Sequence, residues 1–281
     1  MFNVINTRPS ERADGLNQAL QQAGYAVTPL PLLELVAEPF ALIQQPLSAI
    51  RQVAVVVVVS PATAQLGLAG LQQLGILTSQ LDCQWVAVGQ GTAKILQQAG
   101  LTVQIPTLET SEGMLALDVF QPLTQAHESA VKDLETVLGT VMFWRGYGGR
   151  QFMLKQLASQ QAVLSVNLYR RQLPAASRLH YQHLLDQYPL DQHRVDHPHA
   201  LLISSGVSWQ HWLELGQQFG WMMPRYILVL GQRVHQHVCD YISQKLPAMT
   251  ADLGRQPQVI LLDNLEPATL LMQLEQLQKC Q

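Results

Sequence analysis

Short unbroken apolar runs recur along this chain of 281 residues, each ending in a turn that carries glycine, serine or proline and each followed by a stretch with helical spacing. Runs of this kind, apolar on both faces, are the mark of strands buried in a parallel sheet. Residues 4–5, 53–59, 85–88, 101–105, 141–144, 200–203, 226–230 and 259–262 read as such strands. The helices predicted between them cover 13–23, 64–74, 93–98, 114–120, 175–187, 207–215 and 235–242, with a last one opening at Glu266-Pro267-Ala268-Thr269. Gly100 closes one of them, and Ser60-Pro61 at a strand end is a helix-start signal. Residues 34–48, punctuated by Pro39 and Pro46, read as an irregular crossing. Residues 121–139 read as a polar loop and surface helix, and 188–199 as a loop rich in histidine and proline. The alternation predicts an α/β fold with parallel sheets.

One stretch carries more chemistry than the others. Val141-Met142-Phe143-Trp144 runs into Arg145-Gly146-Tyr147-Gly148-Gly149-Arg150, a glycine turn with two arginines, and then into a helix with Phe152, Met153, Leu157 and Ala158 inward. A strand follows, ending Asn167-Leu168-Tyr169-Arg170-Arg171. Ligands of open α/β sheets lie beyond the carboxyl ends of the strands, where helix-opening amides favour an anion. A solvated glycine turn is the plainer alternative.

The same pattern stands near the amino terminus. Laid side by side, Arg8 falls on Arg145, Arg12 near Arg150, and residues 27–32 on 164–169. A second duplication pairs Ser60, Gly89 and Ser111-Glu112 with Ser205, Gly231 and Glu266-Pro267, each at a strand-to-helix turn. The organisation predicted is two similar five-stranded lobes: lobe 1 from residues 1–35 and 172–281, and lobe 2, from 36–171, inserted into it. Two side-by-side extended connections would join them, with the ligand in the cleft.

Composition narrows the ligand. Net charge is -3 and the isoelectric point about 6.3, without the basic excess of a nucleic-acid surface, so an anion must be met by local arginines and amides. A mean hydropathy of +0.08 with 48% apolar residues describes a compact protein. The run 53–59 is too short to cross a bilayer, and Met1-Phe2-Asn3-Val4 opens no recognisable secretion signal. Cys83, Cys239 and Cys280 show no zinc or CxxC spacing and suit free thiols in a reducing compartment, so a cytoplasmic protein is expected. His193, His197, His199, His235 and His237 lack converging ligand spacing, and no metal is expected.

Taken together, Thr7-Arg8-Pro9, Ser60-Pro61, Val88-Gly89-Gln90-Gly91-Thr92-Ala93, Thr110-Ser111-Glu112-Gly113, Arg145-Gly146 with Gly149-Arg150, Tyr169-Arg170-Arg171, Ser204-Ser205-Gly206 and Glu266-Pro267 resemble the uroporphyrinogen-III synthase family, in its order and over nearly the whole chain. The resemblance implies two flavodoxin-like lobes with parallel sheets, joined by a two-stranded linker, and a cofactor-free hydro-lyase of tetrapyrrole (haem) biosynthesis. Its substrate would be hydroxymethylbilane, a linear tetrapyrrole with eight carboxylates. The product forms by loss of water and ring closure, with the last ring (ring D) inverted through a spiro intermediate. A monomer is implied, with a transient encounter with hydroxymethylbilane synthase left open.

The resemblance makes Tyr169 the proton donor, or the group that orients the leaving hydroxyl. A phenol with a pKa of about 10 is protonated at neutral pH and can donate. Packing between lobes is its alternative. Arg8, Arg145 with Gly146, and Arg150 are candidates for substrate carboxylates, through the planar fork of the guanidinium, or for internal ion pairs. Ser60, Thr92, Ser111 and Ser205 stand at helix starts, as carboxylate contacts or plain caps. Val234 stands where some members carry a threonine, leaving Arg233 beside it as the anion-binding candidate. A rival reading from another class is a two-lobe ligand sensor without catalysis, or an inactive homologue. Neither a flavin phosphate loop nor a GxGxxG or Walker loop follows any strand.

Overall fold

The chain divides into two compact units, Met1–Glu34 with Gln172–Gln281, and Leu35–Arg171. The computed structural model describes residues 2–120, 139–149, 151–159, 162–187, 200–222, 224–245 and 256–279. Arg150, Cys280, His193, His197, His199 and most of the two predicted loops, with the surface helix, lie outside the described residues. The first unit opens with β1 (Asn3–Asn6), α1 (Ser10–Gln22) and β2 (Ala26–Pro29). The second is built from β3 (Glu34–Ala37), α2 (Phe40–Ser48), β4 (Val53–Val58), α3 (Pro61–Gln73), β5 (Gln84–Ala87), α4 (Gln90–Gln98), β6 (Val103–Gln104), α5 (Ser111–Leu115), β7 (Thr140–Gly146), α6 (Phe152–Ala158) and β8 (Val163–Gln172). The chain then returns to the first with α7 (Ala175–Gln187), β9 (Ala200–Ile203), α8 (Gly206–Phe219), β10 (Tyr226–Leu230), α9 (Gln232–Lys245), β11 (Gln258–Leu262) and α10 (Pro267–Lys279).

The first unit carries the strand order β11-β10-β9-β1-β2, parallel at every pairing. The second carries β3-β8-β7-β4-β5-β6, parallel from β8 through β6. Without its edge strand β3, the second order is the first one again, with β7, β8, β4, β5 and β6 in the places of β1, β2, β9, β10 and β11. The repeated turns of the sequence fall at matching places. Ser60 and Ser205 each cap the helix after the strand, accepting a hydrogen bond from the N–H three residues on, that of Thr63 and that of Ser208.

Both faces of each sheet are covered, which is why the strands read as continuous apolar runs. In β9, Leu201 and Ile203 join a core with Trp209, Trp212 and Val238, while Ala200 and Leu202 join another with Leu16, Leu20 and Leu270. In β7, Met142 and Trp144 pack with Leu71 and Leu96, and Val141 and Phe143 pack with Met114, Met153 and Leu157. Trp144 lies flush on α3 at Gly67, where a Cβ would stand 2.1 Å from the indole, so this glycine admits the ring. Anchoring Trp144 on that face turns Arg145, one residue on, to the other.

Three local expectations change. Residues 40–48 form a helix despite Pro46, because a helix this short loses only one internal hydrogen bond to the proline and gains the burial of Ile43 and Leu47. Arg145 and Gly146 belong to strand β7 rather than to the glycine turn, whose described positions are 147–149, and Gly148 and Gly149 take positive φ there. In α6, Met153 and Leu157 are buried as expected, but Ala158 is exposed. No helix among the described residues is long and apolar enough to cross a membrane.

Candidate active site

In the second sheet β4 and β7 are neighbours, and the chain proceeds from them in opposite directions, β4 to β5 and β6, β7 to β8. Such a reversal opens a crevice at the carboxyl ends of the two strands. There the structure has a cavity of about 250 Å³. Phe143, Met114, Met153 and Leu154 give it an apolar floor, and Ser60, Ser111, Arg145, Tyr169 and Arg171 bring polar atoms to it. None of the described residues lining it is acidic.

Arg145 is 8% exposed at the end of β7. Its Nη2 donates to the Gly148 carbonyl across the glycine turn, and no carboxylate among the described residues pairs with it. Burial, first of all, pulls its pKa below the ordinary arginine value; the nearby Tyr169 opposes that shift and the Arg171 charge adds to it. A buried cation most of whose five donors find no partner among the described residues is costly unless an anion completes it. The cavity is therefore electrostatically prepared for a carboxylate.

Tyr169 reaches the cavity through a break in the strand. Arg145 pairs with Asn167 but Gly146 pairs with Tyr169, so Leu168 is an extra residue in β8. Such a bulge shifts the alternation of faces by one residue. Leu168 joins the core while Tyr169, its neighbour, is also buried, at 3% exposure, but lines the cavity. The ring lies directly on Gly146, where a Cβ would come within 2.3 Å of it. Two residues further along the strand, Arg171 shares that face. Its Nη2 donates to the Tyr169 phenol oxygen at 3.0 Å, and its guanidinium carbon stands 5.2 Å from the ring centroid. Arg170, on the opposite face, pairs instead with the buried carboxylate of Glu38 at 3.5 Å.

The structure thus gathers Ser60, Ser111, Arg145, Gly146 and Tyr169 around one cavity. Thr110, not Ser111, caps α5, accepting from the Gly113 N–H at 3.1 Å, which leaves the Ser111 hydroxyl to the cavity. Thr92 is not brought there: it is buried in α4, 2% exposed. The start of that helix is filled from within the chain, since the Gln90 N–H donates to Glu109 Oε1 at 2.9 Å. Arg150 lies outside the described residues. In the other unit Arg8, Ser205 and Arg233 follow the carboxyl ends of β1, β9 and β10, three adjacent parallel strands. Arg8 is half-buried and its pKa is lowered, by burial first and then by Arg12, while Arg233 is exposed. Arg171 is the residue that sequence reasoning did not select, although its spacing of two from Tyr169 on a strand marks a shared face.

The family model described as uroporphyrinogen-III synthase HemD matches residues 14–245, well over half of the chain. The chain belongs to the uroporphyrinogen-III synthase family. Among solved structures it is similar to a mutant uroporphyrinogen III synthase of the extremely thermophilic bacterium Thermus thermophilus, at a TM-score of 0.57 and 16% identity over 99% of this chain and 100% of that one. It is also similar to the uroporphyrinogen-III synthetase of Helicobacter pylori, at a TM-score of 0.51 and 12% identity over 99% of this chain and 100% of that one. At such identities these likenesses speak for the α/β fold with parallel sheets. Membership of the uroporphyrinogen-III synthase family makes the chain a cyclising hydro-lyase of porphyrin biosynthesis, acting on a small-molecule tetrapyrrole. It favours an enzyme over a ligand sensor.

Proposed function

We propose that this uroporphyrinogen-III synthase closes hydroxymethylbilane with its reacting end in the cavity beside β4 and β7, Tyr169 serving as proton donor and Arg145 as a carboxylate clamp. The observation that carries the reading is the buried Arg145 guanidinium, which lacks a carboxylate partner among the described residues and adjoins a phenol in an apolar-floored cavity. A substrate acetate or propionate supplies the missing anion, in the fork geometry that guanidinium favours. Ser60, Ser111 and the backbone at Gly146 offer further hydrogen bonds. Arg8, Ser205 and Arg233, at the strand ends of the five-stranded sheet, are proposed for other carboxylates, and Arg150 for a further one. Thr92, buried beside a helix start already filled by Glu109, is the weakest contact of the set.

The chemistry needs modest help. Tyr169 gives its proton to the hydroxymethyl oxygen as the C–O bond breaks, water departs, and the pyrrole nitrogen stabilises the cation left behind. Ring D then attacks through its substituted carbon, giving the spiro intermediate; one bond migrates, the last carbon loses its proton, and the inverted macrocycle is complete. Without enzyme the chain closes with ring D uninverted, so holding a conformation is the larger part of the task. A general acid typically contributes about 10²–10⁴-fold, and an electron-rich pyrrole needs the low end of that range. Monomeric, cytoplasmic action on substrate released by hydroxymethylbilane synthase belongs to the same proposal.

The test is incubation of purified protein with freshly made hydroxymethylbilane, followed by separation of the oxidised isomers. The type III isomer should dominate, and Tyr169→Phe should slow its formation without abolishing it. Type I product alone would overturn the reading.

A further inference from the structure

A phenol can donate one hydrogen bond and accept others, whereas a guanidinium can only donate. That asymmetry fixes the direction of the Arg171 to Tyr169 contact: Arg171 Nη2 gives its hydrogen to the phenol oxygen at 3.0 Å, and the phenol proton must go elsewhere. The guanidinium is held at a second point. Nη1 donates to the Tyr147 carbonyl at 3.3 Å, and the Tyr147 N–H donates in turn to the Tyr169 carbonyl at 2.8 Å. Strand end, turn and phenol thus form one small framework with Arg171 as its brace. The other cation beside the phenol, Arg145, is also a pure donor and offers the proton nothing. Among the described residues no acceptor takes the Tyr169 proton, while the ring lines the cavity.

We infer that Arg171 is a positioning residue for the reaction: by occupying the acceptor side of the Tyr169 oxygen from the turn-braced guanidinium, it makes the phenol a one-way donor into the cavity. The inference rests on Tyr169 being the proton donor. The spacing of two residues that puts Tyr169 and Arg171 together on the cavity face also sends Arg170 to the opposite face and to Glu38. With Arg171 gone, the phenol can turn about its C–O bond and accept from Arg145 or water, spending its proton in unproductive directions. The loss should therefore appear in kcat rather than in KM.

A double-mutant cycle tests this on the full-length enzyme, with single-turnover rates and KM for hydroxymethylbilane. Arg171→Leu should lower kcat by about tenfold, the range of a charge-assisted hydrogen bond, with KM little changed. In a Tyr169→Phe background the same substitution should change kcat by less than about twofold, since there is no proton left to direct. Arg171→Lys, which keeps a cationic donor, should recover most of the lost rate and guards against misfolding of the leucine variant. Equal losses from Arg171→Leu in both backgrounds, or a loss confined to KM, would overturn the inference and make Arg171 a substrate clamp. An unchanged rate for Tyr169→Phe alone would instead remove the proton-donor reading, and the inference with it.

Discussion

The contact between Gly146 and Tyr169 allows the active-site reading to be tested without altering a single functional group. A Cβ built on Gly146 lies 2.3 Å from Tyr169 Cε2 and 2.4 Å from Cζ, against the 3.4 Å at which ordinary contact begins. The ring of a Gly146→Ala enzyme must therefore retreat by about 1 Å. Gly146 has no positive φ, so alanine fits the backbone itself. Overpacking of this kind costs about 1–3 kcal/mol, and the stiffer unfolded chain returns about 0.4–1 kcal/mol. A net destabilisation of about 1–2 kcal/mol is expected in denaturant melts. The rate should suffer more than the stability, because an error of about 1 Å in the placement of a catalytic group can cost 10²-fold. Single-turnover formation of the type III isomer should fall by about ten- to a hundredfold, with the folded fraction at 25 °C unchanged. A Gly146→Ala enzyme with wild-type rate and stability would falsify the packing of Tyr169 on β7 and, with it, the cavity as the reacting site.

Other consequences are independent of that contact. Arg145→Met removes a buried charge with no carboxylate partner among the described residues, so KM for hydroxymethylbilane should rise at least about tenfold while the melting temperature holds or increases. A fall in melting temperature with an unchanged KM would assign Arg145 a structural task. Tyr181, fully buried and edge-on to Trp212, donates to the Gly220 carbonyl at 2.9 Å and accepts from the Met222 N–H at 3.3 Å. Tyr181→Phe should cost about 1–3 kcal/mol, read by chemical denaturation, and a neutral result would contradict that pairing. Cys83 has its thiol pushed up to about 11 from an ordinary 9.0, chiefly by burial. Its alkylation by iodoacetamide at pH 8 should be slow in the native protein and fast once unfolded, as read by peptide mass spectrometry. Because the unfolded thiol ionises first, the folded state binds the extra proton between those values, and the Cys83 contribution to stability should fade as pH climbs from 9 to 11. Cys83→Ala should flatten that alkaline decline.

Much of the architecture is legible in one dimension. The pattern delimits residues 175–187, 200–203 and 226–230 to the residue, because a strand buried on both faces must be apolar throughout and a helix on a sheet must repeat every three to four residues. Ser60 and Ser205 announce their helices, since a hydroxyl that caps the first turn acts only on its own neighbours. The eight motifs that resemble the uroporphyrinogen-III synthase family point to the family that the model over residues 14–245 identifies. Proline misleads at Pro46, where burial of Ile43 and Leu47 outweighs one missing hydrogen bond. The strand ends are blurred for the same kind of reason: β2 stops at Pro29 and β6 is only two residues long, set by pairing partners rather than by propensity.

What the amino-acid order determined alone is whatever depends on near neighbours: the strands, the helix starts, the glycine turn and the presence of arginines beside it. Tertiary structure decided which of those groups meet. No local pattern foretells the extra residue at Leu168, because a bulge exists only relative to the register of the strand beside it, and that register sets Tyr169 against Gly146. Nor could sequence separate Thr92 from Ser111, both near helix starts, until Glu109 was seen to fill the first site and Thr110 to free the second. Burial of the Arg145 charge is likewise a property of the assembled sheet, since desolvation depends on every side chain that closes around the group and not on its neighbours along the chain.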